Sequence, residues 1–213
     1  MIMEKQRLEI VRYGVKLLRS GLTNGTSGNL SMYDPDTGYM AITPSGIDYE
    51  ETRPEDIVVV TLDGDRVDGD RKPSSELDLH AGLYRIKPYA RAVIHAHSMA
   101  CTTLACLREP IRPIHFLLAC CGAAEVPVAP YVTFGTKELA DSVAGTIGDG
   151  DACLMANHGV ICCGTDMAGA FGLLETCEWC AELQWRCECA GKPACLSDEE
   201  VRKTVARFSR YGQ

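Results

Sequence analysis

Five histidines occur in this chain, His80, His95, His97, His115 and His158, and two of them are separated by a single residue. His95-Ala96-His97 closes an apolar stretch that reads as a buried strand. Successive side chains on a strand alternate faces, so both imidazoles point the same way and can reach one ion. His158 is the third candidate, followed by Gly159, which lets the backbone turn tightly. Three imidazoles and one open position form the layout of a catalytic zinc rather than a structural one. The competing reading of a His-x-His pair is two polar residues satisfied in the core or at the surface. The neighbouring residues decide between the two.

Those neighbours are a carboxylate and three small polar loops. Lys72-Pro73-Ser74-Ser75-Glu76 precedes a helix that leads into the His-x-His strand. As backbone it is a helix start, with Pro and Ser near the N-cap and Glu in the first turn. The same arrangement suits an anion, because a helix N-terminus offers unpaired N–H groups and a positive dipole end. Ser74 and Ser75 add hydroxyl donors, and Glu76 would sit beside that anion within reach of a metal. Thr26-Ser27-Gly28-Asn29 and Thr43-Pro44-Ser45-Gly46 repeat the chemistry. Singly each is an ordinary turn; grouped around a metal they make a phosphate cradle with no need for an arginine.

The elements that must position these groups alternate between helix and strand. Leu8, Val11, Val15 and Leu18 give residues 4–20 an apolar helical face, and Gly21 is a natural stop. A hairpin is predicted over 29–34 and 38–43 around an Asp-Pro-Asp-Thr-Gly turn, with a further strand at 57–62. Helices are predicted at 75–86, 99–107, 136–147 and 167–190, and strands at 91–97, 152–156 and 160–163. Ser197-Asp-Glu-Glu is a capping box that opens a last helix. Several links are hairpins, so the expected class is α/β, with a mainly antiparallel or mixed sheet flanked by helices.

Composition bounds the rest. A chain of 213 residues, 46% hydrophobic and 23% charged, has the composition of an ordinary globular protein, with one domain over 1–213 as the default. No apolar run approaches the ~20 residues of a membrane span, and the charged N-terminus is not a signal peptide, so a cytoplasmic location is expected. The net charge of −8 comes without a Lys/Arg cluster, which argues against nucleic acid. Twelve cysteines are many, and in such a location free thiols acting as small core residues are expected. Cys177, Cys180, Cys187, Cys189 and Cys195 offer an alternative, non-catalytic zinc site, but they lie in a helical run that lacks a glycine knuckle.

Taken together, GTSGNLS, ITPSGI, KPSSE, VIHAHS, APYVTFGT, NHG and LSDEE, in this order and spacing, resemble the class II aldolase family that includes L-fuculose-1-phosphate aldolase and L-ribulose-5-phosphate 4-epimerase. The resemblance covers nearly the whole chain. It implies a three-layer fold and one Zn2+ per subunit held by His95, His97 and His158, with Glu76 as fourth ligand in the resting state. It implies a small phosphorylated sugar as substrate, its phosphate among Gly28, Asn29, Ser45, Gly46, Ser74 and Ser75. It also implies a homotetramer with active sites between subunits. Phe116, Phe134, Phe208 and Tyr211 would surround the aldehyde end.

The chain departs from the pattern at one place. The family tyrosine that serves the breaking bond corresponds to Phe116, and a phenyl ring donates no proton. Either Tyr211, a water or another group takes that role, or the substrate lacks the hydroxyl concerned. A deoxy- or thio-substituted pentulose 1-phosphate is then expected beside fuculose 1-phosphate. A 4-epimerase of the family typically has aspartate after the serines and a further histidine beyond the third ligand. This chain has Glu76 and no histidine after His158. A dehydratase of methylthioribulose 1-phosphate remains a third reading.

Overall fold

Strands form where β-branched and small apolar residues run unbroken, as in Val58-Val59-Val60 and Ala92-Val93-Ile94. In the computed structural model, which describes residues 1–208, they are β1 (Asn29–Asp34), β2 (Tyr39–Ile42), β3 (Val58–Thr61), β4 (Arg66–Asp68), β5 (Ala92–Ala96), β6 (Val128–Ala129), β7 (Ala152–Met155) and β8 (Gly159–Gly164). They make one sheet in the order β4-β3-β2-β1-β5-β8-β7-β6. Every pairing is antiparallel except the parallel β6–β7 pair. β5 is buried at all its positions, so both faces of the sheet are covered.

The helices are α1 (Glu4–Arg19), α2 (Leu77–Ile86), α3 (Met99–Leu107), α4 (Lys137–Thr146), α5 (Met167–Ala190) and α6 (Asp198–Phe208). Leu30, Met32, Ile94, Val160 and Cys162 pack on one face beneath α1, α3 and α5. Met40, Val60, Val93, Ile161 and Cys163 point the other way, beneath α2 and α4. This alternation follows from the two-residue strand period and gives the expected three layers. Each large apolar side chain fully buried in these layers contributes roughly 1.5–3 kcal/mol.

Some boundaries differ from the sequence reading, for definable reasons. The buried stripe of α1 is Arg7, Ile10, Tyr13, Gly14 and Leu17, while Leu8 is exposed. Both stripes satisfy helical periodicity. Tertiary partners select the observed one: Arg7 donates to Asp68 at 2.6 Å and Tyr13 packs against Phe171. β4 and β6 have only three and two residues, too short to leave a periodic signal. The capping box of α6 is present, with Ser197 N–H donating to Glu200 at 2.8 Å and Glu200 N–H to the Ser197 hydroxyl at 3.4 Å. No helix among the described residues is long and apolar enough to cross a membrane.

Candidate functional site

β1 and β5 lie side by side, with Asn29 opposite His95 and Ser31 opposite Val93. On the other flank β8 pairs with β5, and its Val160 carbonyl accepts a hydrogen bond from His95 Nδ1 at 2.9 Å. That bond fixes the tautomer and leaves His95 Nε2 with a lone pair facing inward. His97, one residue beyond the end of β5, stays on the same side, its Nε2 2.9 Å from His95 Nε2.

His158 reaches the pair from the turn between β7 and β8. Asn157 adopts a left-handed conformation (φ 55°), and His158 N–H donates to the Met155 carbonyl at 3.0 Å, which closes the turn. Asn is one of the few residues that accept that conformation at low cost. A Cβ at Gly159 would lie 2.4 Å from the Ala96 carbonyl oxygen and 2.9 Å from the His97 ring. Glycine therefore lets the turn settle onto the His-x-His segment. The three rings stand with centroids 4.8, 4.8 and 5.1 Å apart. Among the described residues they are the one group of three or more ligating side chains whose donor atoms converge within 4.8 Å.

Glu76 stands at the N-cap of α2 and is buried. Its Oε2 is 3.2 Å from His95 Nε2 and accepts from Asn29 Nδ2 at 2.9 Å. Its Oε1 is 3.3 Å from His158 Nε2, yet it is buried and makes no hydrogen bond. Short approach without hydrogen-bond geometry is expected when both atoms aim at a common point. A buried carboxylate oxygen with no partner is costly, and a cation would satisfy it. Three imidazoles and one carboxylate suit a zinc-type ion. Burial pushes His95 well below the usual histidine range, with His158 and His97 adding to the effect. Burial also lowers His97 and His158, while Glu76 opposes the shift at both. All three rings are thus held neutral, the form that binds metal.

A cleft of about 380 Å³ opens beside this cluster. Gly28, Asn29, Ser45, Gly46, Ser74 and Ser75 all line it, as do Glu76, His97, His158 and Phe134. Gly28 has φ +77°, and a Cβ there would meet the His95 carbonyl oxygen at 2.7 Å, so only glycine lets this loop lie across β5. The other two loops are stitched together: Ser74 N–H donates to the Thr43 carbonyl at 3.0 Å, and the Ser45 hydroxyl to the Pro73 carbonyl at 3.0 Å.

One expectation about this loop is corrected. α2 starts at Leu77, two residues later than predicted, and its leading N–H groups are already engaged. Ser75 N–H donates to the Ser45 hydroxyl, Glu76 N–H to the Ser74 hydroxyl and Leu77 N–H to the Ser74 carbonyl, each at 3.2 Å. The loop consumes these donors because Ser74 turns the chain back on itself. Anion-binding capacity therefore rests more on hydroxyls, such as the exposed Ser75 and Thr26, than on the helix terminus.

The remaining candidates separate. Phe134 and Tyr131 are exposed at the rim of the cleft. Phe116 and Phe208 stack on each other, ring centroids 6.4 Å apart, in a different groove with Leu117, Thr204 and Arg207. Within one chain neither lines the cleft beside His95, His97 and His158. Tyr211 lies outside the described residues. Tyr131 and Asn157 line the cleft although sequence reasoning gave them no role. Asn157 was signalled by Asn-His-Gly, whose first residue favours a left-handed turn; Tyr131 carried no signal. His115 packs between Phe116 and Trp179, away from the cleft. All twelve cysteines are free thiols.

Comparison with known proteins adds a second line of observation. The family described as Class II Aldolase and Adducin N-terminal domain matches residues 8–185. A protein of Bacillus thuringiensis serovar kurstaki named 5-deoxy-D-ribulose 1-phosphate aldolase is 42% identical over 213 residues, covering 100% of both chains. A Rhodospirillum rubrum protein named 5-methylthioribulose-1-phosphate/5-deoxyribulose-1-phosphate aldolase is 38% identical, covering 90% of this chain and 86% of its own. A solved structure titled L-fuculose 1-phosphate aldolase superposes with a TM-score of 0.96 at 41% identity, covering 98% of each chain.

Proposed function

The chain belongs to the class II aldolase family, and from that membership we propose that it is a zinc-dependent aldolase cleaving a ketose 1-phosphate into dihydroxyacetone phosphate and an aldehyde. The observation that carries this reading is the convergence of His95, His97 and His158 with a buried Glu76 carboxylate, one oxygen of which has no hydrogen bond. In the proposal all four side chains hold the ion, and the whole chain forms one catalytic domain in the cytoplasm.

A divalent ion held there supplies Lewis acidity to the ketose oxygens and makes a Schiff-base lysine unnecessary. The chain's own residues do the rest. Gly28, Asn29, Ser45, Gly46, Ser74 and Ser75 grip the phosphate, which orients the reacting bond through contacts remote from it. Cleavage breaks the C3–C4 bond. The C4 hydroxyl gives up its proton as the aldehyde forms, and C3 of the other fragment gains one. Glu76, released from its resting contacts when substrate binds, delivers that proton to C3 and removes it in the reverse direction, as a general acid/base. The proton from the C4 hydroxyl leaves through Tyr211 or water, because Phe116 has none to exchange.

The same substitution points to the substrate. Phe116, Phe134 and Phe208 make an aldehyde pocket poor in hydrogen-bond donors, and we infer a homotetramer in which a neighbouring subunit brings Phe116, Phe208 and Tyr211 to the cleft. An apolar tail, as in a 5-deoxy- or 5-methylthio-pentulose 1-phosphate, suits such a pocket. Both curated relatives above carry names of that class. The test is a comparison of kcat/KM for 5-deoxyribulose 1-phosphate and fuculose 1-phosphate, with dihydroxyacetone phosphate read through NADH. The expected preference for the deoxy substrate is about 10-fold or more, the scale of one small group in a pocket. A strong preference for fuculose 1-phosphate would refute the substrate assignment, and absence of dihydroxyacetone phosphate from either would refute the aldolase.

A further inference from the structure

The chemistry proposed above makes no use of His80, yet this side chain is fully buried and bonded through both ring nitrogens. Its Nε2 lies 2.5 Å from Asn29 Oδ1 and its Nδ1 2.6 Å from the Ser31 hydroxyl. The Ser31 hydroxyl is in turn 2.8 Å from the Tyr84 hydroxyl, and Asn29 Nδ2 donates to Glu76 at 2.9 Å. A continuous hydrogen-bonded chain therefore runs from Tyr84 through Ser31, His80 and Asn29 to Glu76. All five residues are buried.

The match of two periods builds it. Glu76, His80 and Tyr84 are spaced four apart on α2, an advance of about 6 Å per step. Asn29, Ser31 and Tyr33 are spaced two apart on β1, an advance of about 6.6 Å per step. The helix stripe and the strand face are nearly commensurate, so their side chains interleave along the whole contact. The rings of Tyr33 and Tyr84 close the far end, with centroids 5.1 Å apart.

Donor and acceptor roles follow from one end. An ionised carboxylate only accepts, so Asn29 must turn its NH₂ toward Glu76 and its carbonyl toward His80. His80 must then carry its proton on Nε2, and its bare Nδ1 must accept from the Ser31 hydroxyl. Ser31 accepts from Tyr84. Reversal at any link sets two donors or two acceptors against each other inside the protein, where neither has water to turn to.

We propose that His80 is a positioning residue that, through Asn29, locks the Glu76 carboxylate in the orientation facing the three histidines. The inference rests on the reading of Glu76 as metal ligand and proton carrier. With the Nε2 donor gone, the Asn29 amide is free to rotate and present its oxygen to the carboxylate. Burial supports the assignment by holding the ring neutral, its pKa lowered to about 3.

Two substitutions separate this role from a merely structural one. His80→Gln places an amide nitrogen near the Nε2 position and keeps the donor to Asn29. His80→Asn is shorter and reaches only Ser31. Zinc affinity, measured by chelator competition on the full chain, and kcat are expected to fall about 10- to 100-fold in His80→Asn with KM little changed, the usual scale for a residue that supports a ligand. In His80→Gln both are expected to return to within a few-fold of the parent. Equal loss in both variants, or no loss in either, would overturn the proposal. A nitrogen-15 spectrum of the parent protein gives a readout independent of any variant's folding: the His80 proton is expected on Nε2, and a proton on Nδ1 would sink the relay. Zinc competition and the proton's position need no sugar, so a failure of the aldolase reading is recognised separately.

Discussion

Two faces of the same sheet are rich in residue types that can bind metals, and among the described residues only one brings three of them to a common point. Beneath α2, three histidines and Glu76 converge until donor atoms from distant stretches of chain lie about 3 Å apart. Beneath α3 and α5, Cys101, Cys121, Cys162, Cys177 and Cys180 are buried as well, and Cys121 and Cys177 approach to 3.9 Å, yet no three thiols among the described residues converge on a common point. The cysteines sit in a layer of Leu, Ala and Phe and behave as small apolar groups. The histidine face differs in its polar neighbours: Asn29, Ser31 and Glu76 are buried beside it and bonded to one another. A residue's type sets what it can ligate. Convergence and buried polar company decide whether it does.

The harshest way to break this contrast is to remove a ligand from each face. His95→Ala is expected to abolish zinc retention and reduce kcat by more than about 10³-fold, since it takes away the ion's Lewis acidity. Metal analysis of the purified variant checks the first and the coupled assay the second. Retention of one zinc per chain by His95→Ala would move the metal to the cysteines and end the contrast. Glu76→Gln leaves the three imidazoles in place, so the metal is expected to stay bound, with affinity lowered at least as far as in His80→Asn, while kcat falls about 10²- to 10⁴-fold, the range of a lost general acid/base.

A gentler probe is pH, because the two faces limit stability at opposite ends. His80 binds its proton at about pH 3 when folded and near 6.5 when unfolded. Between those values the unfolded chain carries more protons, so stability falls on acidification, by about 1.4 kcal/mol per pH unit from this group. On the other side, burial raises Cys180 to about 12. Above about pH 9 the unfolded chain has lost thiol protons that the folded chain keeps, so stability falls as pH rises. Denaturant titrations are expected to show both limbs. His80→Gln should flatten only the acid one and Cys180→Ala only the alkaline one; a variant that flattened the opposite limb would contradict the assignment.

Much of this division is legible in the sequence, for uneven reasons. His95 and His97 announce themselves because strand alternation makes a two-residue spacing a shared direction. The bounds of α3 and α5 agree with those read from the sequence. Glu76 was readable as a helix start, but not the way Ser74 and Ser45 absorb the N–H groups there, because that depends on two loops 30 residues apart meeting. His80 lies one turn after Glu76 on the predicted helix, but spacing alone does not tell it from any partly buried polar residue. Its role needs the register between a helix and a strand, and no single periodicity contains that. The α1 face went to the neighbouring stripe for the same reason: the predicted stripe of Leu8, Val11, Val15 and Leu18 is the more apolar by sequence, but Asp68 and Phe171, far along the chain, hold Arg7 and Tyr13 of the other.

The smallest expected effect is also the one that tests the cysteine face most directly. Cys177 is buried in α5 against Cys121. Substitution by alanine removes one sulfur and leaves a void of about the size of a methyl group. The cost is about 1 kcal/mol, below the 2–5 kcal/mol of a leucine-to-alanine change, which deletes three carbons. Nothing in the cleft touches this thiol, so zinc content and kcat are expected to match the parent while the denaturation midpoint shifts slightly down. The contact with Cys121 lowers the thiol's pKa, but the contact with Cys162 and burial outweigh it and hold the thiol well above its ordinary range, which disfavours the thiolate that a metal requires. Loss of zinc from Cys177→Ala, with the fold intact, would show that the sulfur-rich layer ligates after all and that convergence on the histidine face is not what selects the ion.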